Sequence, residues 1–209
     1  FSKNNKWGYF PSISAAWRAV DEEFIRRLGV FSDLKLRVGY GLAGNNRIPN
    51  YRSLEILSSA GYPIGDNYVP GFAPTEIASK DLKWESNTTL NIGIDFGFFK
   101  QRLAISPEFF YNRSSNLLLN SRVPTSSGYK NMLRNVGRTS NRGFDLTIQS
   151  YNIVTRNFEW STNLNLSFNR NRIDELSGES SFLEEASFGF NDKTHIVAVG
   201  NPVGQFYGY

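Results

Sequence analysis

The stretch Gly39-Tyr40-Gly41-Leu42-Ala43-Gly44 carries the G-x-G-x-x-G spacing with which a dinucleotide-binding turn cradles a pyrophosphate. That chemistry needs a helix to begin within the glycines, so that its first N–H groups meet the phosphates. Here apolar alternation runs straight through the motif, with Leu34, Leu36, Val38, Tyr40 and Leu42 on one face, and the turn-rich "NNRIPNY" follows. Gly39 and Gly41 are therefore read as strand residues that leave room on a crowded or ligand-facing surface. Cysteine is absent, which excludes disulfides, thiolate metal sites and a cysteine nucleophile. A single histidine, His195, excludes multi-histidine metal centres. His195 lies in "DKTHIVAV" with no nucleophile elbow nearby, and reads as a loop or strand-start residue. Glu184 and Glu185 are adjacent in a loop-like stretch, which does not set the carboxylate separation of a glycosidase. No catalytic residue, metal or cofactor is expected, and the chain is not read as an enzyme.

The elements that carry these residues alternate with a period of two. In "WESNTTLNIGIDFGFF" the faces are Leu90, Ile92, Ile94, Phe96, Phe98 against Thr89, Asn91, Gly93, Asp95, Gly97. In "FEWSTNLNLSFNRN" they are Phe158, Trp160, Thr162, Leu164, Leu166, Phe168 against Glu159, Ser161, Asn163, Asn165, Ser167, Asn169. "GYFPSISAAWR", "RLAISPEFFYN", "NRGFDLTIQSY" and "HIVAVG…FYGY" are weaker examples, giving about seven strands. The one helix candidate is "DEEFIRRL", Asp21 to Leu28, whose acids come first and bases last in accord with the helix dipole.

Connections are short at "FKQ" and "NIVTRN". They are long at Gly44 to Lys83, Asn116 to Leu133 and Asp174 to Thr194. Short turns at one end and long loops at the other are the pattern of an outer-membrane barrel. Aromatics gather at strand ends, in pairs such as Trp84 and Phe98 or Phe158 and Phe168, as the girdles of an apolar band require. A soluble β-sandwich for glycan binding or adhesion is the alternative that also gives one polar face per strand. Pro107 in "AISPEFF" removes a ladder donor and is expected at a bulge or strand rim. No apolar run reaches the roughly 18 residues of a membrane helix. Net charge is +4 with scattered bases, so no nucleic-acid partner is expected. The sequence opens without Met or a signal peptide and is expected to be a piece of a longer chain.

"WGYFPSISAAWR", "SDLKLRVGYGLAGNN", "DLKWESNTTLNIGIDFGFFKQRL", "NVGRTSNRGFDL" and "VGNPVGQFYGY", in that order, resemble the SusC/RagA family of TonB-dependent outer-membrane transporters from Trp7 to Tyr209. One departure is "IASKDLKWE", where the family often has Asn-Pro before Asp-Leu. The resemblance implies an all-β chain, part of a large antiparallel barrel of about 22 strands with a plug. Residues 1–209 are expected to form a portion of the barrel domain in its C-terminal half, with the plug domain and remaining strands absent. It further implies import of oligosaccharides or peptides across the bacterial outer membrane, a SusD-like surface lipoprotein as lid, and energy from the TonB complex through the plug. A TonB-dependent receptor for a siderophore or cobalamin is the alternative within that class.

In that reading, cargo is held by planar amides and aromatic faces. The wall candidates are Asn91, Asp95, Asn163, Asn165 and Asn169, and the loop candidates are Asn45, Asn46, Arg47, Asn50, Tyr51 and Tyr68. A separate set of arginines lies toward the long loops: Arg113, Arg122, Arg134, Arg138, Arg142, Arg170 and Arg172. The guanidinium fork suits the phosphates of lipopolysaccharide, the expected lipid partner.

Overall fold

The computed structural model describes residues 5–47, 53–129, 131–176, 181–185 and 193–207. Six long strands form one antiparallel wall in the order β1 (Ser12–Arg18), β2 (Phe31–Asn45), β5 (Glu85–Phe98), β6 (Leu103–Arg122), β7 (Asn131–Val154) and β8 (Glu159–Glu175). Each follows its neighbour as a meander, apart from the excursion between β2 and β5. There, β3 (Ile56–Ile64) and β4 (Asn67–Glu76) pair as a hairpin around Gly65-Asp66, and β4 meets the start of β7 through the parallel bridge Glu76↔Asn131. The strands β9 (Ser181–Glu185), β10 (Lys193–Ala198) and β11 (Gln205–Phe206) form a separate small sheet.

Among the described residues no second layer packs on the wall. Among the described residues the buried apolar side chains are Ala19, Leu34, Leu82 and Ile173, while Ile92, Phe109, Phe144, Leu164, Leu166 and Phe168 are exposed. A soluble sandwich would bury one of these faces against a facing sheet, and this wall does not. Among the described residues its two margins, β1 and β8, each pair with one wall strand, and the sheet is not closed.

The register shows how the alternation adds up across the wall. Rungs on the apolar face read Phe96–Ile105–Ile148–Leu164, then Leu146–Leu166 beside Pro107, then Ile92–Phe109–Phe144–Phe168. From the Phe98–Leu103 rung to the Leu90–Tyr111 rung is eight residues along β5. At about 3.4 Å per residue and the usual barrel tilt this spans roughly 20 Å, close to an apolar membrane band. Phe31, Phe96 and Phe98 cluster at one border with ring centroids 5.4 to 6.2 Å apart. Tyr40, Tyr111, Phe109, Phe144 and Phe168 mark the other.

Four expectations are corrected by these elements. The segment from Gly44 to Lys83 holds the β3–β4 hairpin, whose glycines are covered by aromatic rings: a Cβ at Gly61 would fall on the Tyr68 ring, and one at Gly71 on the Tyr62 ring. The loop expected from Asn116 to Leu133 is shorter, because β6 continues to Arg122 and β7 begins at Asn131. Pro107 sits in mid-wall with regular pairing to Leu146. The missing donor is accommodated by a lapse in the β5–β6 ladder at Ile94 and Asp95, with no bulge. The helix over Asp21 to Leu28 shortens to a 3-10 turn, Ala19–Asp21, and one α-turn, α1 (Glu23–Arg26). Its three acids are used locally: Asp21 pairs with Arg18 at 3.5 Å, Glu22 accepts from the Trp17 indole at 3.1 Å and Glu23 pairs with Arg27.

The β5–β6 turn contains Phe99, Lys100 and Gln101, all with φ between 53° and 67°. L-residues resist this left-handed region, and asparagine tolerates it best after glycine. The Gln101 N–H is held by the Ser32 hydroxyl at 3.0 Å. Lys100→Asn is expected to stabilise the folded chain by up to about 1 kcal/mol, measured as a shift in the denaturant midpoint of the refolded barrel.

Candidate functional site

The polar face of the wall is built by the same rungs, one residue out of phase. One rung reads Arg37–Gly93–Glu108–Asp145–Ser167, and the next toward the long loops reads Gly39–Asn91–Phe110–Gly143–Asn169. Above it lies Gly41–Thr89–Asn112–Asn141–Asn171. In a barrel this face lines the lumen.

Arg37 is the hub of the lower rung. Its Nε and Nη2 donate to the two Asp95 oxygens at 2.8 and 3.1 Å, and its Nη1 donates to Glu108 at 3.2 Å. Gly93 lies directly between Arg37 and Glu108, and a Cβ there would meet the Arg37 Nη2 at 2.8 Å. The glycine is what lets one guanidinium reach across three strands. Next to it, Asp145 accepts a hydrogen bond from Ser167.

Phe110 is the one large aromatic on the polar face of these rungs. Its ring lies over Gly143, where a Cβ would fall 2.4 Å from the ring carbon Cζ. Asn91 and Asn169 stand on the same rung, three strand spacings or about 14 Å apart. Among the described residues neither makes a side-chain hydrogen bond, and the buried Oδ1 of Asn141 on the next rung also has no partner. A cleft of about 320 Å³ opens beside Asn91, over Gly39 and Gly93 and bounded by Arg37 and Glu108. This arrangement offers an aromatic face ringed by free amides, with a charged floor below. It suits reversible contact with a polar, hydrogen-bonding cargo.

The sequence candidates divide accordingly. Asn91 and Asn169 share the Phe110 rung. Asn165 pairs with Thr147, and Asn163 with Gln149, on lower rungs of the same face. Asp95 is occupied by Arg37. Asn45 is also occupied, donating to Glu85 at 2.6 Å while its Oδ1 accepts the Arg47 N–H at 3.1 Å, so it ends β2. Asn46 and Arg47 are exposed at that strand end, and Asn50 and Tyr51 lie outside the described residues. Tyr68 covers Gly61 on the hairpin, away from the wall rungs. The excursion and the β6–β7 loop are joined where the Tyr129 hydroxyl donates to Glu55 at 2.5 Å, a bond that raises the Tyr129 pKa. The side chains of Arg122, Glu184 and Glu185 lie outside the described part. His195 is in β10, with its Nδ1 2.9 Å from the Thr194 hydroxyl and its ring 5.0 Å from Phe206.

Arg37, Glu108 and Phe110 were not candidates on sequence grounds. In "PEFFYN" Phe109 and Phe110 face opposite ways. The signal was available in the alternation Glu108, Phe110, Asn112 against Pro107, Phe109, Tyr111.

Replacing Arg37 leaves Asp95 and Glu108 facing one another without their cation. The Arg37, Asp95 and Glu108 side chains are 38%, 28% and 31% exposed, so water screens part of the interaction. Arg37→Met is expected to cost about 1–2 kcal/mol, with Glu108→Gln added in the same chain recovering about half. Urea unfolding of the single and double variants checks this.

Comparison with known proteins places these rungs. Residues 1–203 match the family model for the TonB dependent receptor-like β-barrel. The chain is 36% identical over 211 residues to TonB-dependent receptor P3 of Formosa agariphila, covering 100% of this chain and 21% of that protein. It is 35% identical over 221 residues to TonB-dependent receptor SusC of Bacteroides thetaiotaomicron, covering 22% of it. The chain thus spans about a fifth of the length of these relatives. Among solved structures, the RagAB peptide importer in its closed-closed state superposes with a TM-score of 0.81 at 26% identity, over 99% of this chain and 22% of that one. The match in fold follows the strand order described above, and the match in sequence runs the length of the wall: the chain belongs to the SusC/RagA family of TonB-dependent receptor β-barrels.

Proposed function

We propose that this chain is a wall section of a SusC-like importer of the bacterial outer membrane. The full protein takes up oligosaccharides or peptides, is closed by a SusD-like lipoprotein, and is driven through its plug by the TonB complex. The observation that carries this reading is the two-faced wall. One face is an exposed apolar band bordered by aromatic rungs, and the other is a polar face with free amides around Phe110. A soluble protein gains nothing from the first face, and a lipid-embedded wall requires it. The kinship with SusC supports TonB-dependent uptake, and the likeness to the RagAB peptide importer supports a peptide among the cargo classes. No observation on this wall favours a siderophore or cobalamin receptor.

In this reading Phe110, Asn91 and Asn169 touch cargo in passage, and the tied loops near Glu55 and Tyr129 lie toward the lid. Detergent extraction of outer membranes, with detection by an antibody to this segment, tests the setting. The expected product is a heat-modifiable band several times larger than 23.7 kDa. A soluble product of about that size, folded without detergent, overturns it. Phe110→Ala in the full receptor is expected to weaken cargo binding about tenfold, as loss of one aromatic contact implies, with barrel assembly unchanged. Cargo binding to the purified receptor by calorimetry reads this.

A further inference from the structure

The outward face continues past the aromatic border, and its chemistry changes within one rung. Directly beyond Phe109–Phe144–Phe168 stands Tyr111–Arg142–Arg170, and beyond that Arg113–Ser140–Arg172. Successive rungs on one face are about 7 Å apart, so these arginines begin where hydrocarbon gives way to headgroups. They lie at the long-loop end of the strands, the outer side of such barrels.

Arg142 and Arg170 are a direct cross-strand pair. Like charges placed opposite each other destabilise a sheet, and a wall gains nothing from this pair by itself. Among the described residues Arg113, Arg142 and Arg170 make no ion pair. Only Arg172 approaches a carboxylate, Asp174, at 4.0 Å, and that carboxylate already accepts from Ser140 at 3.1 Å. A cleft of about 540 Å³ lies at this corner, where Ser140, Arg142 and Asp174 meet the β8 run from Asn169 to Arg172 beside Gly200 and Pro202. The other arginines of the sequence set are placed differently: Arg138 is paired with Glu175 at 3.0 Å, and Arg134 borders a separate cleft with Asp81 and Lys83.

We propose that Arg113, Arg142, Arg170 and Arg172 form a binding site for the phosphorylated headgroup of an outer-leaflet lipopolysaccharide. The proposal rests on the outer-membrane reading above. Acyl chains lie along Leu146, Leu166, Phe144 and Phe168, and a phosphate sits between Arg142 and Arg170. Two guanidinium forks match the acceptor oxygens of a phosphate monoester, and the anion converts a repulsive pair into a bridged one. The position selects a lipid over a soluble anion, because the site is on the outward face and continuous with the apolar band. An acidic cargo would instead meet the polar face.

The test uses the full-length receptor purified from outer membranes, as Arg170→Gln and as Arg142→Gln/Arg170→Gln, with Lys35→Gln on the polar face as charge control. Lipopolysaccharide retained after detergent washing is measured per barrel, and thermal unfolding is followed with and without added lipopolysaccharide. The double variant is expected to retain at least tenfold less lipid, with Lys35→Gln unchanged. In lipid-free detergent Arg170→Gln is expected to raise the melting temperature by removing repulsion, and in lipopolysaccharide to lower it relative to the parent. A merely structural arginine gives the same sign in both. Equal retention in all variants, or no change of sign, overturns the proposal. So does equal stabilisation by inorganic phosphate alone, which would assign the site to a free anion. These outcomes are read on a heat-modifiable membrane barrel. Absence of that barrel overturns the importer reading itself, and the lipid site with it.

Discussion

Arginine at Leu146 is expected to cost the folded barrel about 2–4 kcal/mol, while arginine at the adjacent Thr147 is expected to cost less than about 1 kcal/mol. The two residues are neighbours in β7 with opposite surroundings. Leu146 pairs with Leu166 and Pro107 in the middle rung of the apolar band. Thr147 pairs with Asn165 and Ser106 on the polar face. At the bilayer midplane a guanidinium must be carried out of water, distort the lipid or reach a distant interface. On a wet lumen it stays hydrated. Unfolding by urea in vesicles, compared with unfolding in detergent micelles, measures the difference. The Leu146→Arg penalty should be largest in vesicles, where the hydrocarbon is continuous. Equal effects at the two positions would mean that the exposed apolar face does not meet lipid.

The second large effect is expected at Gly143. A Cβ there would lie 2.4 Å from the Phe168 carbonyl oxygen and 2.4 Å from the Phe110 ring. The first contact is backbone of the adjoining strand, so it cannot be relieved by a side-chain rotation. Gly143→Val is expected to destabilise by about 1–3 kcal/mol, in the range of overpacked sites, and to lift Phe110 off the wall. Gly39→Ser, on the same rung but with no atom within 4 Å of its Cβ position, is expected to be close to neutral. Denaturant midpoints of the two variants check stability. Cargo affinity separates the roles further. Gly143→Val should lose affinity in parallel with Phe110→Ala, because both remove the ring from its place. If Gly143→Val folded normally with full affinity, Phe110 would not be the contact proposed for it.

Both predictions depend on knowing which face a residue is on, and that much is legible in the sequence. Leu90 to Phe98 and Leu164 to Phe168 alternate without interruption, and every one of those apolar side chains is found on one face of the wall. The inert character of Gly39 and Gly41 as a nucleotide motif was equally legible, because both sit within the fifteen residues of β2. Less could be read where composition runs against strand propensity. The Ser-, Asn- and Gly-rich ends of β6 and β7 look like loop, yet they pair with each other through Asn131↔Arg122. The β3–β4 hairpin was hidden by three prolines and three glycines, Pro63, Pro70, Pro74, Gly61, Gly65 and Gly71, which are ordinarily turn residues. Local composition did not show that Tyr62 and Tyr68 cover two of those glycines from the opposite strand.

The sequence by itself determined the face of each wall residue, the polarity of the two faces and the end at which the long connections lie. A period of two is a local property of one strand, and it survives any choice of neighbour. Only the tertiary structure decided what stands beside what. A two-residue slip between β7 and β8 would preserve every apolar face and still part Arg142 from Arg170. A similar slip between β6 and β7 would take Phe110 off Gly143, and one between β2 and β5 would take Arg37 from Asp95. Turn lengths, the bulges near Arg138 and Tyr151, and close packing over glycines fix that register. They act between strands far apart in the sequence, so the lumenal patch and the outward arginine pair exist only once the strands are aligned.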